Sequence, residues 1–252
     1  MTIGADMTVL TYENGKRGGA CRDFLINSGR LDGHEMLTIL PIPTSRDGVH
    51  LTGSDKTLAS VAAEACEGEL YLGYDIPCFV SDALVGVGAR VVDAALDEEF
   101  LLANARLTAL GAVAYLLTGG SVSPDELRVG VVGYGRIGKA LVRMLLALGT
   151  EVRVYSKRRG VVMCLADSGA DATLIADGDP LPECDILINT APATIFNSEK
   201  GGEGTRIIEL ASGSNFGTRE VERLPALPNR YFPESAGRAY ALSLLRGIGG
   251  GV

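Results

Sequence analysis

The amino-acid sequence predicts an α/β protein of two domains, and two features of the chain indicate this. From about Leu127 onward, short apolar runs alternate with amphipathic helical patterns, which is typical of parallel strands joined by crossover helices. The first half shows a weaker alternation of the same kind. Between the halves, Thr118–Pro124 interrupts the pattern with glycine, serine and proline, and this break predicts a domain boundary.

The two predicted domains differ in size, and one long helix joins them. Residues 1–117 are expected to form a smaller, shortened N-terminal α/β domain that includes the linker helix Asp97–Leu117. Residues 118–232 are expected to form the second domain. Residues 233–252 carry a final helix pattern, Ser235–Leu245, that can return to the first domain.

Hydrophobic periodicity predicts the individual elements. Apolar runs predict strands at Met7–Tyr12, Met36–Leu40, Glu69–Leu72, Arg90–Val92, Val129–Val132, Glu151–Tyr155, Asp171–Ile175, Asp185–Asn189 and Arg206–Leu210. Apolar stripes at helical spacing predict further helices at Asp55–Cys66, Ile76–Val85 and Ile137–Leu148.

A glycine-rich turn directly follows the predicted strand Val129–Val132. Its glycines have the spacing G-x-G-x-x-G, in which the first allows a tight turn, the second lets a pyrophosphate approach the backbone, and the third lets the helix pack closely. The triplet alone is weak evidence among 33 glycines, but the flanking strand and helix make it specific. We therefore predict a doubly wound Rossmann domain whose dinucleotide site includes Gly133, Tyr134, Gly135, Arg136, Ile137 and Gly138.

The residues after the next strand bear on which dinucleotide is bound. NAD-binding domains of this type carry Asp or Glu there to accept the ribose 2′-hydroxyl. This chain has Ser156, Lys157, Arg158 and Arg159 instead, and a 2′-phosphate needs such donors and positive charge. We predict NADP as the cofactor, with contacts from Ser156, Lys157 and Arg158. The alternative interpretation is a solvated basic turn.

Two later turns follow predicted strands whose carboxyl ends line the ligand crevice of an open α/β sheet. The predicted strand Asp185–Asn189 ends in one of them, and Arg206–Leu210 precedes the other. We expect the cofactor to contact residues of both turns, namely Asn189, Thr190, Ala191, Pro192, Ala211 and Ser212. The alternative is an ordinary transition from strand to turn.

Composition limits the partners and the compartment. A net charge of −8 argues against nucleic acid or an anionic membrane as a partner. No apolar run is seen to reach the ~18 residues of a membrane span, and the N-terminus lacks a signal-peptide pattern. The five scattered cysteines are expected to be reduced, mostly packing residues of a cytoplasmic protein. No metal site is predicted, and a homo-oligomer is compatible with the sequence.

Six segments in the same order resemble the NADP-dependent subunit of dipicolinate synthase, the enzyme that makes dipicolinate in spore-forming bacteria. The segments are Leu40–Ser45, Asn104–Gly111, Gly133–Gly138, Cys184–Pro192, Ile207–Ser212 and Pro233–Gly237. The resemblance implies oxidation of a dihydrodipicolinate-type cyclic dicarboxylate in a cleft between a substrate domain and a nicotinamide domain. It also implies a role in sporulation and a second, flavoprotein-like subunit.

The chain departs from that family at three places. The region before Met36 is short, so the first domain is expected to lack one strand–helix unit. The residues after Ala211 lack the family's Arg-Pro, and Glu234-Ser235 replaces its Lys-Thr. These departures bear on the substrate more than on the cofactor.

A dicarboxylate substrate requires anion donors, and five residues are candidates. Thr44 and Ser45 follow a predicted strand, Asn104 and Thr108 share a helix face, and Ser235 begins a helix. Each also has a purely structural interpretation, as a turn, a bond within the helix or an N-cap.

No catalytic acid or base is assigned. The only histidines are His34 and His50, and 2-hydroxyacid dehydrogenases need a histidine relay in or just beyond the dinucleotide half. The alternatives left open are another NADP-dependent dehydrogenase, of the shikimate or 2-hydroxyacid type, and a non-catalytic NADP-binding regulatory module.

Overall fold

The computed structural model describes residues 7–13, 15–31, 35–165, 170–192, 196–211 and 216–249. The chain divides into two compact units, one of Met1–Asn104 with Pro228–Val252 and one of Ala105–Leu227. The strands are β1 Thr8–Thr11, β2 Met36–Ile39, β3 Leu70–Gly73, β4 Arg90–Asp93, β5 Arg128–Val132, β6 Glu151–Ser156, β7 Asp171–Leu174, β8 Asp179–Leu181, β9 Ile186–Asn189, β10 Phe196–Gly201, β11 Arg206–Glu209 and β12 Val221–Arg223. The helices are α1 Lys16–Ser28, α2 Leu58–Ala63, α3 Cys78–Gly86, α4 Glu98–Gly119, α5 Arg136–Ala147, α6 Arg159–Leu165, α7 Leu227–Tyr231 and α8 Pro233–Gly249.

The first unit is built on a parallel sheet of four strands in the order β1-β2-β3-β4. Its core combines strand residues such as Leu37 and Leu72 with Tyr240 and Leu244 of the C-terminal helix α8. Helices α8 and α1 pack so closely that a Cβ at Gly237 would lie only 2.6 Å from the Arg17 carbonyl oxygen. The end of the chain therefore belongs to the same core as its beginning.

Helix α1 is the main element of this unit that the sequence analysis misses. The region before Met36 contains both β1 and α1, and so holds a complete strand–helix unit. That one further unit of the family is missing stays a prediction. The sequence does not predict this helix, because Gly18 and Gly19 lower its helix propensity and its apolar stripe is weak.

A buried ion pair holds α1 at the carboxyl edge of this sheet. The Arg17 side chain donates from Nε and Nη2 to Glu13 Oε1 at 2.8 and 2.5 Å. The amide of Ile42 donates to Glu13 Oε2 at 2.9 Å, and both charged residues are almost fully buried. The pair thus links the segment after β1, helix α1 and the loop after β2.

The second unit contains a parallel sheet of six strands in the order β12-β11-β9-β5-β6-β7. The strand order reverses beside the central strand β5, which pairs in parallel with both β6 and β9. This is the doubly wound arrangement in which ligands bind outside the strand carboxyl ends at the reversal. The predicted fold class, a Rossmann domain with a second α/β domain, is confirmed.

Three short strands of the second unit are not predicted from the sequence. Strands β8 and β10 form a separate two-stranded parallel sheet, and β12 is the edge of the main sheet. Strand β12 has three residues and β8 contains Pro180, so neither shows a hydrophobic period.

Helix α4 is long and apolar enough, by length and composition alone, to cross a membrane. This departs from the expectation that no apolar run reaches that length. One such helix is weak evidence for a span, because the core helix of a soluble protein meets the same criterion. Ala105, Ala109 and Ala112 are buried along one stripe of α4, as is typical of a helix packed in a protein core.

The cysteines only partly match their predicted role. All five are free. Cys21 is buried and burial raises the pKa of its thiol to about 12, while Cys66, Cys78 and Cys164 are exposed. The expectation that most of them are packing residues is therefore wrong.

Leu141 within α5 and Leu148 at its C-cap provide a test of how this helix packs on the sheet of the second unit. Leu141 is fully buried, whereas Leu148, just after the helix, is 39% exposed. Leu141→Ala should lower the free energy of unfolding by about 2–5 kcal/mol because it leaves a cavity, and Leu148→Ala should lower it by less than ~1 kcal/mol. Urea titration followed by circular dichroism measures both values. Equal losses in the two variants would contradict this account of the packing.

Candidate functional site

The glycine turn between β5 and α5 has the geometry of a phosphate cradle. Gly133 has a φ of +87°, and its amide donates to the Tyr155 carbonyl oxygen at 2.9 Å. A Cβ at Gly138 would lie only 2.3 Å from the Gly133 carbonyl oxygen. A Cβ at Gly135 would meet no atom within 4 Å. The first glycine is therefore required by its backbone conformation and the third by packing, and the second faces open space that a ligand can enter.

Thr190, which follows the neighbouring strand β9, holds this turn through hydrogen bonds to the end of β5. Its amide and its Oγ1 both donate to the Val132 carbonyl oxygen, at 2.9 and 2.8 Å. Its Oγ1 would also lie 3.0 Å from a Cβ at Gly133. The Thr190 hydroxyl thus holds the end of β5, and its hydrogen is already used within the protein.

Asn189 and Glu209 form a buried pair that joins the turns after β9 and β11. Asn189 Nδ2 donates to both Glu209 carboxylate oxygens at 3.1 Å and to the Ala191 carbonyl oxygen at 3.0 Å. Asn189 Oδ1 accepts from the Ala191 amide, and Glu209 Oε1 accepts from the Ala211 amide at 2.8 Å. The Asn189 side chain therefore shapes its turn from inside.

Glu209 is the residue of this cluster that sequence reasoning misses. Its burial raises the pKa of its carboxyl, against the lowering effect of the hydrogen bond from Asn189. The sequence did contain a signal for this residue, because Glu209 is the one acidic residue in the apolar run Arg206–Leu210. A carboxylate buried in such a strand needs hydrogen-bond partners.

The three residues Ser156, Lys157 and Arg158 of the basic turn after β6 each have a different partner. Ser156 is buried, and its Oγ accepts from the Arg158 amide at 3.1 Å. The Lys157 ammonium pairs with the Asp177 carboxylate on the loop after β7. Arg158 Nη2 lies 3.5 Å from the Tyr134 carbonyl oxygen in the glycine turn. Arg158 is thus the basic side chain directed at the glycine turn, and Lys157 already has a carboxylate partner.

The remaining predicted cofactor residues lie around the same edge of the sheet. Arg136 and Ile137 form the first turn of α5, and Pro192 is exposed after β9. The Lys139 ammonium lies 5.8 Å from the centre of the Tyr134 ring. Ser212 lies outside the described residues, as does His34.

Thr44 and Ser45, predicted to bind substrate, have structural partners in the first unit. Thr44 is fully buried, and its Oγ1 accepts from the Tyr74 amide at 3.1 Å. Thr44 therefore has a structural partner in the turn after β3, and its contact with a substrate stays a prediction. Ser45 is half-buried, and its Oγ accepts from the Gly48 amide at 3.0 Å.

The helical candidates are placed differently from one another. Asn104 and Thr108 are both half-buried and lie one turn apart on α4, as the spacing predicts. Ser235 is the third residue of α8, which begins at Pro233. It is therefore not the N-cap that the alternative interpretation proposed. No group of three or more His, Cys, Asp or Glu among the described residues could hold a metal ion.

The glycine turn allows a matched pair of substitutions. Gly138→Ala places a methyl group against the Gly133 carbonyl and should lower the free energy of unfolding by about 1–3 kcal/mol. Gly135→Ala meets no neighbour and should leave stability nearly unchanged, but it should weaken dinucleotide binding about tenfold or more, or ~1.4 kcal/mol. Thermal unfolding without ligand and a fluorescence titration with NADPH separate the two effects. Unchanged affinity in Gly135→Ala would argue against a pyrophosphate at this turn.

Comparisons with known proteins agree with this geometry. Residues 118–199 match the sequence model of the D-isomer specific 2-hydroxyacid dehydrogenase NAD-binding domain. Comparison with curated protein sequences gives no match.

Three solved structures share the fold over nearly the whole chain. Dipicolinate synthase from Bacillus subtilis has 19% identity and a TM-score of 0.70, covering 96% of each chain. Dipicolinate synthase from Bacillus halodurans has 18% identity and a TM-score of 0.72, covering 98% of each chain. A transhydrogenase from Sinorhizobium meliloti has 15% identity and a TM-score of 0.60, covering 95% of this chain and 91% of the other. Residues 118–199 therefore carry a nicotinamide-nucleotide domain of the 2-hydroxyacid dehydrogenase type, in a chain that has the fold of these two dipicolinate synthase polypeptides.

Proposed function

We propose that this chain is an NADP-dependent oxidoreductase that oxidises a dihydrodipicolinate-type cyclic dicarboxylate to dipicolinate. The observation that carries the proposal is the glycine cradle at the carboxyl end of the central strand β5, in a chain with the dipicolinate synthase fold. The 2-hydroxyacid dehydrogenase match supports a nicotinamide cofactor in this cradle.

The residues present fit such a cofactor. The space at Gly135 admits a pyrophosphate, and the first amides of α5 face it, where a helix N-terminus favours negative charge. Thr190 and the Asn189–Glu209 pair hold the neighbouring turns through hydrogen bonds within the protein. The cofactor supplies a hydride acceptor when bound.

Oxidation of a dihydropyridine requires little acid–base catalysis from the protein. This oxidation would release a hydride, for which a bound nicotinamide would be the acceptor, and a proton, which water or a modest base would take. The gain of aromaticity favours both losses. Positioning of the substrate can itself supply several kcal/mol of rate enhancement. The absence of histidine after His50 therefore fits this reaction better than it fits interconversion of a ketone and an alcohol.

The choice of NADP over NAD rests on the turn after β6. Strand β6 ends in Ser156 where an NAD site has a carboxylate, and Arg158 extends toward the glycine turn. A planar guanidinium binds phosphate oxygens in pairs, so Arg158 and the Ser156 hydroxyl are the proposed 2′-phosphate donors. Lys157 would contribute by exchanging its Asp177 partner for the phosphate.

Arg158→Gln tests this assignment. It should weaken NADPH binding by about 1.5–3 kcal/mol, because a charge-assisted contact is lost, and should leave NADH binding nearly unchanged. The matched control is Arg153→Gln, which removes a β6 arginine whose partner is Asp171. Fluorescence titrations with both nucleotides give the ratio of affinities. Tighter NADH than NADPH binding in the unaltered protein would refute the NADP assignment.

Turnover distinguishes this function from its alternatives. The protein should reduce NADP and form dipicolinate when supplied with the condensation product of aspartate semialdehyde and pyruvate. We expect the rate to depend on a second, flavoprotein-like subunit, so the assay is run with and without it. Oxidation of 2-hydroxy acids instead would support the 2-hydroxyacid dehydrogenase type. Cofactor binding without any turnover would support a regulatory module.

The remaining assignments follow from this proposal. A protein that forms dipicolinate is expected to act in the cytoplasm of a sporulating cell, on a small dicarboxylate rather than on nucleic acid or a membrane.

A further inference from the structure

The loop that follows β2 borders an open cavity of about 450 Å³ in the first unit. Six polar or charged residues line it, namely Arg46, Asp47, His50, Thr52, Ser54 and Asp55. In parallel sheets, ligands bind outside the carboxyl ends of strands, and this loop begins at the carboxyl end of β2. The cavity therefore lies where this fold places ligand-binding loops.

Asp47 fixes both the loop and the His50 ring. Its Oδ1 accepts from the amides of Val49 and His50, both at 2.8 Å, and its Oδ2 lies 2.8 Å from His50 Nδ1. The amide and ring of His50 and the amide of Val49 lower the pKa of the Asp47 carboxyl. In the tautomer in which His50 Nδ1 donates to the Asp47 carboxylate, Nε2 of the ring is an acceptor.

Arg46 supplies the positive charge of the cavity. Its side chain is exposed, and no group in the described part of the chain pairs with its guanidinium. Arginine without a protein partner, at a cavity wall, is suited to bind a carboxylate through two parallel hydrogen bonds.

Two hydroxyls and a carboxylate complete the lining. Thr52 Oγ1 is buried without a hydrogen-bond partner among the described residues. Ser54 Oγ accepts from the Lys56 amide at 3.1 Å and keeps its own hydrogen to donate. Asp55 is exposed and adds an acceptor of negative charge. The lining therefore combines donors for one carboxylate with acceptors for an N–H or O–H group, which disfavours a plain polyanion such as phosphate.

We propose that this cavity binds a small carboxylic acid that carries an N–H or O–H donor beside its carboxylate. The carboxylate pairs with the Arg46 guanidinium and the hydroxyls of Thr52 and Ser54. The ligand's donor is accepted by His50 Nε2 and the Asp55 carboxylate. This assignment deepens the proposed function by naming where a cyclic amino or imino dicarboxylate is recognised, and it rests on that function only for the choice of probe.

Calorimetric titration with piperidine-2,6-dicarboxylate and with glutarate tests the proposal, because glutarate has two carboxylates and no N–H donor. The unaltered protein should bind the piperidine compound more tightly than glutarate. Arg46→Gln should weaken both probes about tenfold or more. His50→Leu should weaken the piperidine compound by a similar factor and leave glutarate nearly unchanged.

Controls separate this inference from the proposed function. Arg22→Gln removes another exposed arginine of the same unit, paired with Asp23, and should change neither affinity. Circular dichroism of every variant reports whether the protein is folded, and NADPH titration reports whether the cofactor assignment holds. Arg46→Lys serves as a second variant, since it keeps the charge but lacks the planar fork. Probe affinities unchanged by Arg46→Lys, Arg46→Gln and His50→Leu, or no probe binding with NADPH binding intact, would overturn the proposal.

Discussion

The close approach of α5 to the end of β5 is the constraint on which the candidate site depends. The would-be Cβ of Gly138 overlaps the Gly133 carbonyl oxygen at 2.3 Å, so only glycine allows the helix to begin this near the strand. Gly135, where a Cβ would meet no atom within 4 Å, directly precedes α5, so the open space lies at the N-terminus of this helix. Because the strand order reverses beside β5, the same point is also where the sheet leaves a crevice.

The neighbouring strands maintain this geometry through buried polar contacts. Thr190 donates twice to the last residue of β5, and Asn189 ties the turn after β9 to the Glu209 carboxylate at the end of β11. Burying a carboxylate is costly unless it is hydrogen-bonded, and Glu209 has Asn189 and the Ala211 amide as partners. The polar residues at these strand ends thus hold the crevice in shape through contacts within the protein.

The sequence predicts what depends on local pattern and misses what depends on tertiary partners. The glycine turn, the strands β5, β6, β9 and β11, and helix α4 follow from periodicity and spacing. Helix α1 is missed because α8, from the opposite end of the chain, supplies its packing partner. The partners of Lys157 and Thr44 lie 20 and 30 residues away along the chain, so the sequence could not show that these two side chains already have partners within the protein.

The distribution of titratable groups narrows the chemistry available to this protein. Its second unit contains no histidine, and the buried Glu209 carboxylate is already committed to Asn189 and Ala211. A proton relay through histidine beside a bound cofactor therefore cannot come from this unit. A reaction driven by aromatisation needs mainly a fixed cofactor and a held substrate. The glycine cradle and the hydrogen-bonded turns around it are suited to the first requirement, because the contacts that hold them lie within the protein.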